Sequence, residues 1–314
     1  MKYYYEGETI VSEELQVDKG WRVWWKLTRP HTLTASFAPV FLGTVIAVVS
    51  GYTLRWDLFF AMLIASLLIQ SATNMFNEYY DYKLGLDTEK SVGIGGTIVR
   101  NGVHPKVVLN LALLFYAISI GIGVYICIET SWWLAVVGAI SMAIGYLYTG
   151  GPFPIAYSPF GEVVSGFVMG MLLVLIAFYI QVGDVTSFAI ILSVPSMLLV
   201  AAIMLSNNIR DVVQDTIGGR KTLTILIGRQ NAIHVLAALF IGSYLWITVL
   251  VLLKIITPWA LLVWISLPKP IRALKTFYTY EDPLKAAPAM KATAQTNTFV
   301  VILLGIGLLI GHFF

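Results

Sequence analysis

Leu58-Phe59-Phe60-Ala61-Met62-Leu63-Ile64-Ala65-Ser66-Leu67-Leu68-Ile69-Gln70-Ser71-Ala72-Thr73-Asn74-Met75-Phe76-Asn77-Glu78-Tyr79-Tyr80-Asp81 runs from a mainly apolar stretch directly into a group of amides and acids. Its apolar part, residues 58–77, is long enough to cross about 30 Å of hydrocarbon as a helix. Runs of the same kind recur near 33–50, 107–128, 132–148, 160–181, 186–206, 232–253, 256–268 and 297–313, with 256–268 the short one. The hydrophobic share is 58% and the charged share only 12%, against roughly 25% charged in an ordinary soluble domain. A water-soluble fold has no interior large enough to hide so much apolar surface. The expectation is an all-α, polytopic membrane helical bundle of about nine transmembrane helices, forming one domain over residues 1–314.

The basic residues orient that bundle. With the amino terminus in the cytoplasm, the segments 1–31, 78–106, 207–231 and 268–296 hold all but two of the 20 Lys and Arg residues. Only Arg55 and Lys254 fall on the opposite side, and none falls inside a span. Such asymmetry predicts amino terminus in and carboxyl terminus out. The first 30 residues mix charge with aromatics and lack an apolar core ahead of a small-residue cleavage site, so the first span is expected to double as the insertion signal. The single cysteine, Cys127, lies in a span and excludes an intrachain disulfide. A net charge of +3, accounted for by topology, gives no reason to expect a nucleic-acid partner.

Two acidic motifs stand out. In the first, Asn74, Asn77 and Asp81 are spaced by three and four residues, so a continuing helix puts them on one face. Asp87 lies six residues beyond Asp81, nearly opposite, and joins them only if the chain unwinds near Gly85. The second reads Ser206-Asn207-Asn208-Ile209-Arg210-Asp211-Val212-Val213-Gln214-Asp215, where Asn207, Asp211 and Asp215 share a stripe. Asn77 precedes Asp81 as Asn207 precedes Asp211, by four residues, and the intervening spans are even in number. Both motifs therefore face the cytoplasm, as in duplicated membrane folds with a site between the halves. Acids at one span end serve as solvated caps in many membrane proteins. Two amide and carboxylate clusters at equal depth repel each other unless a cation lies between, and hard oxygen ligands of this kind suit Mg²⁺ together with phosphate oxygens.

Cations follow each cluster: Lys83, Lys90 and Arg100 after the first, Arg220 and Lys221 after the second, and Arg29 ahead of the first span. Topology alone demands basic residues here, yet a diphosphate leaving group also needs them, because charge builds on its oxygens as the carbon–oxygen bond breaks. The segments 78–106 and 207–231 are long for loops and are candidates for a cap over the site. Gly93-Ile94-Gly95-Gly96 offers backbone N–H groups to phosphate or simply a turn. Tyr146, Tyr148 and Tyr157, near Glu162, either face an allylic cation or belong to the interfacial aromatic belt. His104 and His234 are isolated, which argues against a histidine metal site.

At these residues the sequence resembles the intramembrane aromatic prenyltransferases of the UbiA superfamily, over nearly its whole length. Asn77-Glu78-Tyr79-Tyr80-Asp81-Tyr82-Lys83-Leu84-Gly85-Leu86-Asp87-Thr88, Gly93–Arg100 and Tyr148-Thr149-Gly150-Gly151-Pro152 look most like the branch of bacterial menaquinone synthesis that prenylates 1,4-dihydroxy-2-naphthoate. The resemblance implies transfer of a polyprenyl chain from its diphosphate to the naphthoate ring, with loss of CO₂, in a bacterial plasma membrane. It implies a central cavity open to the cytoplasmic side, Asn77, Asp81, Asp211 and Asp215 around Mg²⁺, with Asp87, Asn207 and Asn208 as further candidate ligands. Arg29, Lys83, Lys90, Arg100, Tyr148 and Lys221 are the implied substrate contacts. Many relatives have aspartate where this chain has Glu78, and the last acid of the first motif sits two residues further on, at Asp87. Related enzymes acting on 4-hydroxybenzoate, haem or lipid ethers share the motifs. A cation-coupled transporter would instead place its acids near the bilayer midplane, whereas these stand at span ends.

Overall fold

A backbone in hydrocarbon must satisfy its own N–H and C=O groups, and helices do so within one segment. The computed structural model describes residues 19–30, 32–86 and 96–314, and among the described residues there is no strand. The helices are α1 (Trp21–Leu27), α2 (Thr34–Val49), α3 (Trp56–Lys83), α4 (Thr97–Asn101), α5 (Pro105–Glu129), α6 (Trp133–Leu147) and α7 (Gly161–Val182). They continue as α8 (Ser187–Ile217), α9 (Leu223–Ile227), α10 (Arg229–Leu252), a 3₁₀ segment (Pro258–Ser266), α11 (Pro268–Thr279) and α12 (Pro283–Phe313). Helix starts carry local signals. Pro105 opens α5, with the His104 ring accepting the Lys106 N–H, and Pro283 opens α12, with the Asp282 carboxylate accepting from Leu284 and Lys285.

Six helices, α3, α5, α7, α8, α10 and α12, are long and apolar enough to cross a membrane, and α2 and α6 are shorter apolar helices. The expected span at 256–268 is the 3₁₀ segment of 9 residues between Pro258 and Pro268. At about 2 Å of rise per residue such a segment does not by itself cross the bilayer core.

The main core centres on α2. Ala38, Leu42 and Ile46 pack with Val174 and Phe178 of α7 and with Val300, Val301 and Leu304 of α12. Gly43 permits this closeness, because a Cβ there would run into the Val174 carbonyl oxygen and stand 2.8 Å from the Ala177 Cβ. Gly43→Ala is expected to destabilise the fold by about 1–3 kcal/mol, as overpacking does. A thermal unfolding midpoint in detergent equal to that of the unsubstituted protein would contradict the contact.

A second cluster, Val40, Leu58, Met62, Ile126, Cys127, Leu134, Ala177 and Ile180, fills the end of the bundle remote from the acidic motifs. Beyond it, Arg55 Nη2 lies 2.5 Å from Asp57 Oδ2 and 2.7 Å from Glu129 Oε2, and the Arg55 N–H donates to Gln181 Oε1 at 2.9 Å. This network ties the ends of α3, α5 and α7 together. Within α7, residues Gly166–Leu172 widen into a π-helical turn, a feature found disproportionately at functional sites. Val168 and Met169 of that turn face the cavity described next.

Candidate active site

The two acidic motifs are helical and they converge. Helix α3 continues through the first motif to Lys83, and α8 continues through the second to Ile217. The shared face predicted for Asn74, Asn77 and Asp81 exists, but it divides. Along one edge, Asn77 Oδ1 accepts from the Thr149 hydroxyl at 2.7 Å and Asp81 turns toward the end of α8. Along the other, the Asn74 amide donates to the Thr28 carbonyl and the Thr32 hydroxyl, both at 2.9 Å.

Arg220 lies between the motifs. Its Nη2 donates to Asp81 Oδ1 at 2.6 Å and its Nη1 to Asp215 Oδ1 at 2.9 Å, while its Cζ sits 5.5 Å from the centre of the Tyr157 ring. Burial disfavours the Arg220 charge, but the adjacent Asp81 and Asp215 carboxylates more than offset this and raise its pKa above the ordinary value. The reason Arg220 reaches this place is local. After α8 the chain turns at Gly218 and Gly219, the latter with φ 72°, and the Arg220 N–H bonds back to the Asp215 carbonyl at 2.9 Å. Gln214 Nε2 also donates to the Leu86 carbonyl at 3.2 Å, joining the segment after α3 to the end of α8.

The remaining members of the second motif point in several directions. Asp211 is gripped by its neighbour Arg210, with Nε–Oδ1 2.6 Å and Nη2–Oδ2 2.5 Å. Asn208 lies off the stripe and donates to Glu162 Oε1 at 2.8 Å. Asn207 lines the cavity, and its Oδ1 is buried with no hydrogen-bond partner. A buried acceptor without a donor is costly and fits a site built for a cation. Among the described residues no three His, Cys, Asp or Glu side chains gather at metal-binding distance. The expected ligands engage protein partners here: Asp81 and Asp215 on Arg220, Asp211 on Arg210 and Asn77 on Thr149, with the Asn207 Oδ1 left without one.

A cavity of about 790 Å³ lies within the bundle, and Asn77 and Asn207 of the two motifs line it, whereas Asp81, Asp211, Asp215 and Arg220 do not. Arg29, Asn77, Tyr148 and Asn207 stand at its polar end, and Met62, Cys127 and Leu134 of the second core cluster at its far end. Tyr80 and Tyr146 share a hydroxyl–hydroxyl bond of 2.6 Å beside the cavity, so Tyr146 also has a structural partner.

The cations divide too. Arg29 reaches the cavity with its Nε buried and unpartnered, and it has φ 51°, a left-handed conformation that costs a non-glycine residue about 1–3 kcal/mol. Arg100 lies in α4, its guanidinium folded across Gly96. Lys83 and Lys221 are exposed, and only the backbone N–H of Lys221 is tied down, to the Tyr157 carbonyl at 3.2 Å. Asp87 and Lys90 lie outside the described residues. Two features escaped the sequence reading. Arg220, rather than Lys221, joins the motifs, and Glu78 is 1% exposed, accepting the backbone N–H groups of Gly96 at 2.7 Å and Ile98 at 3.1 Å. Only the pair of glycines before Arg220 hinted at the first, and nothing local hinted at the second.

Comparison with known proteins bears on the family and the fold. The 1,4-dihydroxy-2-naphthoate octaprenyltransferase of Bacillus subtilis (strain 168) is 54% identical over 310 residues, 98% of this chain and 97% of the relative. An apo UbiA homolog from Aeropyrum pernix K1 superposes with a TM-score of 0.66 at 16% identity, covering 90% of this chain and 98% of that one. A UbiA homolog from Archaeoglobus fulgidus, solved bound to GPP and Mg²⁺, gives 0.63 at 16% identity, covering 90% and 99%. At such identity the two structures speak for the fold. Residues 36–300 match the UbiA prenyltransferase family, and the chain belongs to that family.

Proposed function

We propose that the protein transfers a polyprenyl group from polyprenyl diphosphate to 1,4-dihydroxy-2-naphthoate, releasing diphosphate and CO₂ and giving demethylmenaquinone in its reduced, quinol form. The observation that carries this reading is an apolar cavity whose polar lining includes Arg29, Asn77 and Asn207, the two amides belonging to the motifs that Arg220 joins through Asp81 and Asp215, in a chain 54% identical to an octaprenyltransferase with that acceptor in its name. A diphosphate is water-soluble and a polyprenyl tail is not, so a cavity with one charged end and a long apolar body serves both.

Asp81, Asp215 and Asp211, with Asn77 and Asn207, would hold the cation. Bound Mg²⁺ would neutralise charge on the departing diphosphate. Arg29 and Arg100 add fixed positive charge, with the exposed Lys83 and Lys221 available to it. The allylic carbon–oxygen bond breaks with its electron pair going to diphosphate, and an electron-rich ring carbon attacks the resulting cation. The ring regains aromaticity as its carboxylate leaves as CO₂ and the carbon–carbon bonding pair returns to the ring, with one proton lost to solvent and one taken from it wherever the site of attack and the carboxylated carbon differ. Tyr148, half-buried and lining the cavity, presents a π face to that cation. Apolar walls exclude water, which would otherwise quench the cation to an alcohol. We place the protein in the bacterial plasma membrane as a single domain with about nine crossings, its amino terminus and cavity mouth on the cytoplasmic side and its carboxyl terminus outside. In this reading the segment 207–231 closes over bound diphosphate, while the other expected cap, 78–106, falls in part, at 87–95, outside the described residues.

The test is to incubate purified protein with Mg²⁺, radiolabelled polyprenyl diphosphate and either dihydroxynaphthoate or 4-hydroxybenzoate. A lipid-extractable product with the naphthoate is expected, and turnover of 4-hydroxybenzoate alone would overturn the acceptor assignment. Tail length supplies a second check. Gly138 lines the cavity and a Cβ there meets nothing within 4 Å, so a larger side chain fits without strain. Gly138→Phe is expected to lower turnover of octaprenyl diphosphate by about tenfold or more while sparing geranyl diphosphate. Equal losses for both donors would show that the tail does not occupy this part of the cavity.

A further inference from the structure

The second edge of the α3 motif does something different from the first. Asn74 and Glu78, four residues apart, bond to the two segments that carry Arg29 and Arg100. Asn74 pins the chain on either side of Arg29, through Thr28 and Thr32. Glu78 Oε1 caps the start of α4 through Gly96 and Ile98, and Glu78 Oε2 lies 3.7 Å from Arg29 Nη2.

We infer that Glu78 is a positioning residue for the diphosphate end of the donor, fixing the Arg29 guanidinium and the start of the Arg100 helix from behind, without touching substrate. Three observations support it independently of the carboxylate–Arg220 cluster. A carboxyl group 1% exposed is placed where two backbone donors and a guanidinium converge. Arg29 has a left-handed backbone that a free turn would relax, so its neighbours must hold it there. Its Nε is buried at the cavity with no partner, leaving a donor directed to a ligand once the rest of the side chain is held. Glutamate suits the place because its carboxylate reaches both the α4 N–H groups and Arg29.

This inference rests on the diphosphate reading above, and the experiment separates the two. Glu78→Gln keeps an oxygen for the α4 N–H groups and removes the charge that holds Arg29. It is expected to raise the KM for polyprenyl diphosphate and the inhibition constant of inorganic diphosphate by about tenfold, leaving the KM for dihydroxynaphthoate and the thermal midpoint nearly unchanged. Arg29→Gln should produce the same loss, and the double variant should be no worse than either single one, because the two act as a unit. Glu78→Asp, which keeps the charge on a shorter arm, should recover part of the diphosphate affinity relative to Glu78→Gln. Additive losses, or normal inhibition by inorganic diphosphate in Glu78→Gln, would overturn the positioning role while leaving the function intact. Failure of inorganic diphosphate to inhibit the unsubstituted protein would overturn both.

Discussion

Asp81→Asn is expected to lower prenyl transfer by about 10²–10³-fold, the size of effect seen when one preorganised charge-stabilising group is removed. The argument is positional. Asp81 ends the edge of α3 that faces the second motif, and its carboxylate is 2.6 Å from the guanidinium shared with Asp215. An amide of the same shape keeps the packing and retains one acceptor for Arg220, so the protein should still fold and melt near its normal temperature. It loses the negative charge that a divalent cation needs. Initial rates across a range of Mg²⁺ concentrations, with a melting curve for each preparation, check both halves. A rate within threefold of normal would reduce Asp81 to a structural partner of Arg220.

Arg220→Gln should do the reverse to stability and also remove activity. Asp81 and Asp215 would then face each other without their shared cation, and breaking a buried ion pair by removing one partner costs about 3–5 kcal/mol. The partial exposure of Asp81, at 19% of its side chain, puts the expected loss at the lower end of that range. The melting temperature should fall by several degrees, and added Mg²⁺ should raise it more in the variant than in the unsubstituted protein, since a cation binding only the folded state stabilises it by mass action. Turnover should fall by about two orders of magnitude or more. A variant that melts normally and gains nothing extra from Mg²⁺ would mean that Arg220 does not hold the two motifs together.

The apolar runs were sufficient to find the long helices. Residues 107–128 and 160–181 reappear almost unchanged as Pro105–Glu129 and Gly161–Val182, because backbone hydrogen bonding in lipid leaves a long apolar segment little alternative to a helix. Helix ends were less legible. Hydropathy fades near Asn77 and Ser206, yet α3 and α8 continue to Lys83 and Ile217, since a helix needs no lipid to propagate. The 3₁₀ segment after Pro258 shows the opposite limit, where apolar composition did not specify the type of helix. Within the site, the four-residue spacing led to the convergence of the two motifs. The choice between Arg220 and Lys221 was not legible, because adjacent residues diverge in direction and a turn at Gly218 and Gly219 decides which points inward. Nor was the role of Glu78, whose partners Gly96 and Ile98 lie 18 and 20 residues further along the chain.

The cavity's lopsided polarity has a consequence for how a cycle ends. Each proposed reactant arrives with an ionic group, and the charged rim gives that group somewhere to dock. The quinol that results has lost both the diphosphate and the carboxylate, so nothing at the rim retains it, and the greasy walls hold it no better than the surrounding acyl chains do. Departure is then a matter of partition into the bilayer, and the enzyme clears itself without needing a separate ejection step.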